Sequence, residues 1–294
     1  MKDKLNFKIN YKKIKVLEEF NTKDIKFPLV LSIPHSGTVI PKEFLDNVKL
    51  SPEELRYNED SFVDDLLEEP IAAGVPALML NVARAFIDVN RDKIEIDPAM
   101  FFDYPEEEDG PFSRRCRVGL GVIHRITETN KEIYGAPISF LEAQERIKNV
   151  YDAYHKKLQQ IISKTVKKFG FCFVLDCHSM PSKICSQLLD DKPIEFCLGN
   201  LFDQSCPKEV SDFLYKELSD SGYNAVYNCP FSGAFITLNY CQPRKKIYTL
   251  QLEINRSLYM REKNHKKIAK FQSFKSILGK IVTRYAKNLL DFKK

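Results

Sequence analysis

Apolar residues along this chain follow two periods. Short, nearly uninterrupted apolar runs at residues 29–33, 77–82, 86–89, 171–175, 194–198, 225–227 and 248–254 have the length and composition of buried strands. Longer stretches with an apolar residue at every third or fourth position predict helices. Residues 140–169 carry Leu141, Ile147, Val150, Tyr154, Leu158, Ile161 and Val166 at that spacing and stop at Gly170. Residues 207–221 repeat the pattern and stop at Gly222, and residues 264–292 repeat it a third time. Strands that alternate with helices predict an α/β protein whose sheet is largely buried on both faces. Neither period persists through residues 97–135, and a Pro- and Glu-rich run at 105–111 lies at the centre. So long an irregular stretch predicts a lid or site-forming segment, with 105–111 itself an acidic surface loop.

Two of the apolar runs end in a histidine. Residues 28–34 give way to His35-Ser36-Gly37, and 171–175 to Asp176-Cys177-His178-Ser179. The chain holds five histidines, so two at strand ends, where α/β sheets gather their ligands, point to a metal centre. A catalytic zinc takes three protein ligands and keeps one position open. The acidic cluster from Glu59 to Asp65 follows the first strand and offers the third ligand.

Two more segments carry charge into apolar surroundings. In 84–92, strand alternation would place Asp88 and Asn90 on one face with Arg91 at the end. The planar fork of arginine binds carboxylates in a bidentate way, so Arg84 and Arg91 are candidates to clamp an acidic substrate. A structural ion pair of Arg91 with Asp88 or Asp92 is the plainer alternative. Glu253 falls inside the run 248–254, where a charge is costly unless paired or at work. It is a candidate general base, or else the partner of Arg256.

Composition narrows the picture. With 294 residues, 44% hydrophobic and 29% charged, and with no repeat or long linker, the chain is expected to form one domain of ordinary globular type. No apolar run approaches the ~20 residues that cross a bilayer, and the first residues lack a signal-peptide core, so a cytoplasmic protein is expected. The net charge of +5 comes from interspersed charges, and the lysine pairs lie on helical stretches as solvated faces rather than a nucleic-acid patch. Eight cysteines include Cys172, Cys177 and Cys197 in apolar strands, and no Cys-x-x-Cys pair occurs. This argues against both a four-cysteine zinc cluster and a disulfide framework.

Together these blocks closely resemble the N-formylglutamate amidohydrolase family. The resemblance rests on Ser32 through Gly37, Asp60 through Leu66, Arg84 through Arg91, Gly119 through Ile123, Tyr154-His155, Leu175-Asp176-Cys177-His178-Ser179-Met180-Pro181 and Glu253 through Met260, in order over residues 28–262. It implies a three-layer α/β/α sandwich with a mixed, mostly parallel sheet, like that of zinc exopeptidases. It also implies one catalytic zinc and hydrolysis of N-formyl-L-glutamate to formate and L-glutamate, a late step of one histidine-degradation route. Carried over residue by residue, His35 and His178 resemble zinc ligands, with Asp60 the third and Asp64 its alternative. Glu253 resembles the general base. Asn90 and Arg91 resemble a carboxylate-holding pair, with Arg84 and Arg256 as further candidates. The implied partner is a small N-acyl amino acid, with neither nucleic acid nor membrane involved. Where family members carry a lysine in a glycine-rich segment, this chain has Ser232.

Three other readings compete. One is a zinc exopeptidase or deacylase acting on another N-acyl amino acid or peptide. A second is a noncatalytic binding protein that uses its basic C-terminal helix, although that helix carries apolar residues at core spacing. The third is a cysteine hydrolase built on Cys177, which strand geometry disfavours because the adjacent His178 points to the opposite face.

Overall fold

The structure is a computed structural model that describes residues 9–105, 113–187 and 192–292. Most of the acidic run, residues 106–111, lies outside the described residues. Seven strands form the main sheet: β1 (Leu17–Phe20), β2 (Leu29–Ile33), β3 (Ala77–Leu80), β4 (Cys172–Met180), β5 (Phe196–Gly199), β6 (Ala225–Tyr227) and β7 (Ile247–Asn255). Their order is β1-β3-β2-β4-β7-β5-β6. β2 runs parallel to β3 and β4, β4 parallel to β7, and β5 parallel to β6, while β5 meets β7 antiparallel. The fold is thus α/β, as the alternating pattern predicts, with the mixed, mostly parallel sheet that the resemblance implies.

Every residue of β2 and β4 is buried, which is why both strands read as continuous apolar runs rather than alternating ones. One face is apolar over most of its extent. Leu29, Leu31 and Ile33 of β2, Phe173, Leu175 and Cys177 of β4, and Leu250, Leu252 and Ile254 of β7 belong to one core. The helix Phe271–Asn288 (Phe274, Leu278, Ile281) and the helix Lys208–Asp220 (Val210, Leu214, Leu218) join the same core. On the other face the strand register assembles polar residues into rows. Ser32, Asp176 and Gln251 lie side by side across β2, β4 and β7, and His178 lies beside Glu253 one row further along.

Some expectations change. Residues 86–89 form no strand. Phe86, Ile87 and Val89 are fully buried, but the chain turns there, with the Asp88 N–H donating to Val122 O and the Asn90 N–H folding back onto Asp88 Oδ1. Burial made the run apolar, not strand pairing. β4 extends past Leu175 to Met180, so His178 stands within the strand rather than beyond it. The helix expected at 140–169 is Phe140–Arg146, a π stretch Ile147–Tyr151, and then Asp152–Phe169. It stops at Gly170, whose φ of +83° suits glycine. The third helix starts only at Phe271, after a short hairpin of Met260–Arg261 with Lys266–Lys267.

The chain groups into two compact units. One takes the described residues of Met1–Glu18, Pro34–Glu59 and Leu80–Lys157, and the other those of Glu19–Ile33, Asp60–Met79 and Leu158–Lys294. The first is built largely from irregular segments whose inner residues, such as Phe86, Val122 and Ile133, are fully buried, and the second holds most of the sheet. Among the described residues, no helix is long and apolar enough to cross a membrane.

Candidate metal centre

In the second unit, strand alternation sets Asp176 and His178 on the same face of β4. His178 Nε2 lies 2.9 Å from Asp176 Oδ2, and Asp176 Oδ1 accepts the Ser32 hydroxyl at 2.8 Å. The other ring nitrogen, Nδ1, lies 3.0 Å from Asp60 Oδ2. Asp60 Oδ1 accepts from Ser179 Oγ at 3.0 Å and from Arg256 Nη2 at 3.1 Å, and Arg256 Nε also donates to Ser179 Oγ. Asp60 is carried by a tight turn in which Phe62 takes a left-handed conformation (φ +68°) before the helix Val63–Leu66 begins. Burial opposes charge on His178, yet Asp176, Asp60 and Glu253 together hold its pKa well above the usual histidine range. So buried a cluster of carboxylates creates a strongly negative site, which a bound cation would satisfy.

In the first unit, the corresponding hub is Asp88, fully buried. His35 Nε2 lies 2.7 Å from its Oδ1, which also accepts the Asn90 N–H at 2.8 Å. Oδ2 accepts from Arg84 Nε at 2.9 Å, with Arg91 Nη2 at 3.7 Å and His124 Nε2 at 3.2 Å. Burial alone would raise the carboxyl's pKa, but Arg84, the adjacent His35 and Arg91 hold it well below the usual range. Arg91 also donates to the main-chain carbonyls of Leu120 and Asn90, and burial lowers its pKa to about 10. Arg84 reaches Glu128 Oε1 and Asn58 O as well. The pairing of Arg91 with Asp88 weighed from sequence is therefore present, and Arg84 shares it.

His35, Asp60 and His178 are all buried, and each offers one ligand atom within 4.8 Å of the others. Two imidazoles and one carboxylate suit a borderline divalent ion such as zinc. Each histidine has Nε2 set against a buried aspartate, Asp88 for His35 and Asp176 for His178. With a metal bound, that arrangement would keep the ring proton on Nε2 and give Nδ1 to the metal, a common way for a protein to orient metal-binding histidines. The residues present thus fit a metal ion. Asp60, not Asp64, belongs to this group. Asp64 sits in the helix Val63–Leu66, where burial raises its carboxyl pKa.

Glu253 stands beside His178 in register and accepts from Gln251 Nε2 at 2.7 Å. Arg256, three residues on, donates to Asp60 and Ser179. Cys177 lies on the opposite, apolar face, where burial drives its thiol pKa far up, so it is no nucleophile at neutral pH. Sequence reasoning missed Asp176, Ser32, Ser179, Gln251, Asn58 and His124. For Asp176 a signal existed, since two residues before His178 in a strand is the same face. For His124 there was none.

A mixed α/β sheet that presents two carboxylate-anchored histidines and an aspartate defines a hydrolase-type scaffold with a candidate metal centre. Residues 27–260 match the family model described as N-formylglutamate amidohydrolase, and the chain belongs to that family of amidohydrolases. The N-formylglutamate deformylases of Pseudomonas putida and Pseudomonas aeruginosa are 27% and 24% identical. Each alignment covers 81% of this chain, and 83% and 84% of those proteins respectively. The crystal structure of N-formylglutamate amidohydrolase from Ralstonia eutropha JMP134 superposes with a TM-score of 0.87 at 29% identity, covering 94% of this chain and 99% of that one. A gene product of Agrobacterium tumefaciens shares the fold at a TM-score of 0.61 and 17% identity, with 94% and 98% covered.

Proposed function

We propose that this amidohydrolase cleaves the amide bond of an N-acyl amino acid, with N-formyl-L-glutamate, giving formate and L-glutamate, as the leading substrate. The observation that carries the reading is the buried His35, Asp60 and His178 group within a chain that matches the family over most of its length. In this reading Nδ1 of His35, Nδ1 of His178 and the Asp60 carboxylate hold one zinc ion. When bound, the ion supplies Lewis acidity, which polarises an amide carbonyl and acidifies water.

The remaining chemistry falls to the chain itself. Glu253 takes the proton of the attacking water as the new C–O bond forms. It returns that proton to the nitrogen as the C–N bond breaks, so the amine departs neutral and the acyl group departs as carboxylic acid. Gln251 orients Glu253 by donating to Oε1. Asn90 and Arg91 hold the substrate's α-carboxylate, with Arg84 and Arg256 as further cationic groups around it. A guanidinium with a pKa near 10 still carries its charge at neutral pH.

Formate release from N-formyl-L-glutamate, with and without chelator and added zinc, tests the proposal. Chelator-sensitive turnover supports it, and turnover that survives complete metal removal overturns it. Ser232, at a position where the family resemblance implies a lysine, favours one second reading: the same hydrolysis on a different N-acyl amino acid, which a substrate panel would reveal. All eight cysteines are free thiols, which supports a reducing, cytoplasmic setting.

A further inference from the structure

We infer that His124 is a positioning residue that fixes the ring tautomer of His35 and thereby sets the affinity of the metal centre; this rests on His35 being a metal ligand. His124 lies in the irregular segment 97–135, is 1% exposed, and lies outside the candidate ligand group. Its two ring nitrogens face different partners, and those partners dictate where its proton sits.

The dictation starts at Asn58, fully buried at the end of the short turn Arg56–Asn58. Asn58 Oδ1 accepts the main-chain N–H of Glu128 at 2.8 Å, which settles the orientation of the amide. Its Nδ2 then faces His124 Nδ1 at 2.7 Å. An amide nitrogen only donates, so Nδ1 must carry the lone pair and the ring proton must sit on Nε2. That N–H faces Asp88 Oδ2 at 3.2 Å, off the axis of a straight hydrogen bond.

Asp88 now has a donor at each oxygen beyond its arginines. Oδ2 faces Arg84 and His124, and Oδ1 receives the Asn90 N–H and His35 Nε2. A carboxylate held in this way can only accept, so it requires the proton of His35 on Nε2 and leaves the lone pair on Nδ1. Hydrogen bonds thus set the tautomer of His124 from the Glu128 main chain through Asn58, and that of His35 from Asp88, while the His124 N–H faces Asp88 Oδ2 as a close polar contact that helps hold the carboxylate in place. The second histidine has a shorter arrangement, with Asp176 backed by Ser32. His35 depends on the longer one.

Two full-length variants and a spectrum test this. His124→Phe keeps a ring and removes both polar contacts, whereas His124→Gln keeps an acceptor for Asn58 and a donor for Asp88. Zinc affinity is read by competition with a chromophoric chelator, and the fold of the metal-free proteins by circular dichroism. The expected result is zinc affinity about 10–100-fold weaker in His124→Phe, with most of the loss recovered in His124→Gln. Long-range ¹H–¹⁵N correlation on the wild type, with five histidines to assign, should show His124 as the neutral Nε2–H form. Equal zinc affinity in wild type and a folded His124→Phe overturns this inference alone, as does an Nδ1–H tautomer. A wild type that binds no zinc overturns the metal reading and this inference with it. Should His124→Phe fail to fold, His124→Gln and the wild-type spectrum still decide.

Discussion

A carboxylate inside a strand, as Glu253 is in β7, is tolerated only when paired, neutralised or put to use. Its place beside His178 makes the proton-transfer role directly testable. Glu253→Gln keeps the shape and one acceptor oxygen but removes the basic site. Turnover should fall about 10²–10⁴-fold while zinc content, measured by atomic emission on the purified protein, stays at the wild-type level. Retained turnover removes Glu253 from the mechanism, and lost zinc would make it a structural support of the centre instead. At this scale the sequence was informative about the candidate ligands, because His35 and His178 follow apolar runs abruptly and the family resemblance picks Asp60 out of an acidic cluster. It was silent about what orients them. Asp176 was legible in principle through strand alternation, but Asn58, His124 and Asp88 come together through irregular backbone, whose path no periodicity encodes.

Elements carry those side chains, and their limits were read unevenly. β2 and β6 match their expected ranges, β2 because burial on both faces leaves an unbroken apolar signal that ends sharply, and β6 because its three-residue apolar run is bounded by polar residues although only Ala225 is buried. β4 runs five residues further than its apolar run suggests, because its polar residues line the site face while Cys177 stays in the core. β1 escaped notice, being a short, only partly buried Leu-Glu-Glu-Phe strand at the sheet's edge. The turn after β2 depends on close backbone approach. A Cβ on Gly37 would lie 2.4–2.5 Å from main-chain atoms of Asn81 and Leu80, which cannot yield as a flexible side chain would. Gly37→Ala is therefore expected to cost about 1–3 kcal/mol by forced displacement of backbone, read as a lower urea midpoint at unchanged slope. An unchanged midpoint would mean that the turn bearing His35 moves freely.

For the whole molecule, a metal that binds only the folded chain stabilises it by mass action. At a free zinc concentration of 100 times the dissociation constant the gain is about 2.7 kcal/mol, which a thermal scan reads as a higher midpoint. The shift should persist in Glu253→Gln, which leaves the ligands in place, and vanish in His35→Ala; equal shifts in both variants would assign the zinc to another site. The strand order carries a kinetic consequence as well. Ser32 and Asp176, hydrogen-bonded across β2 and β4, are 144 residues apart in the chain, and β4 in turn waits for β7. Pairings of such separation close slowly, so the central sheet cannot assemble until most of the chain has been synthesised. Until then β2 is an apolar strand with open edges, the kind of segment that chaperones shield. A metal held by His35, Asp60 and His178 would accordingly be acquired late, by a chain whose scaffold already stands, rather than serve as the seed around which it folds.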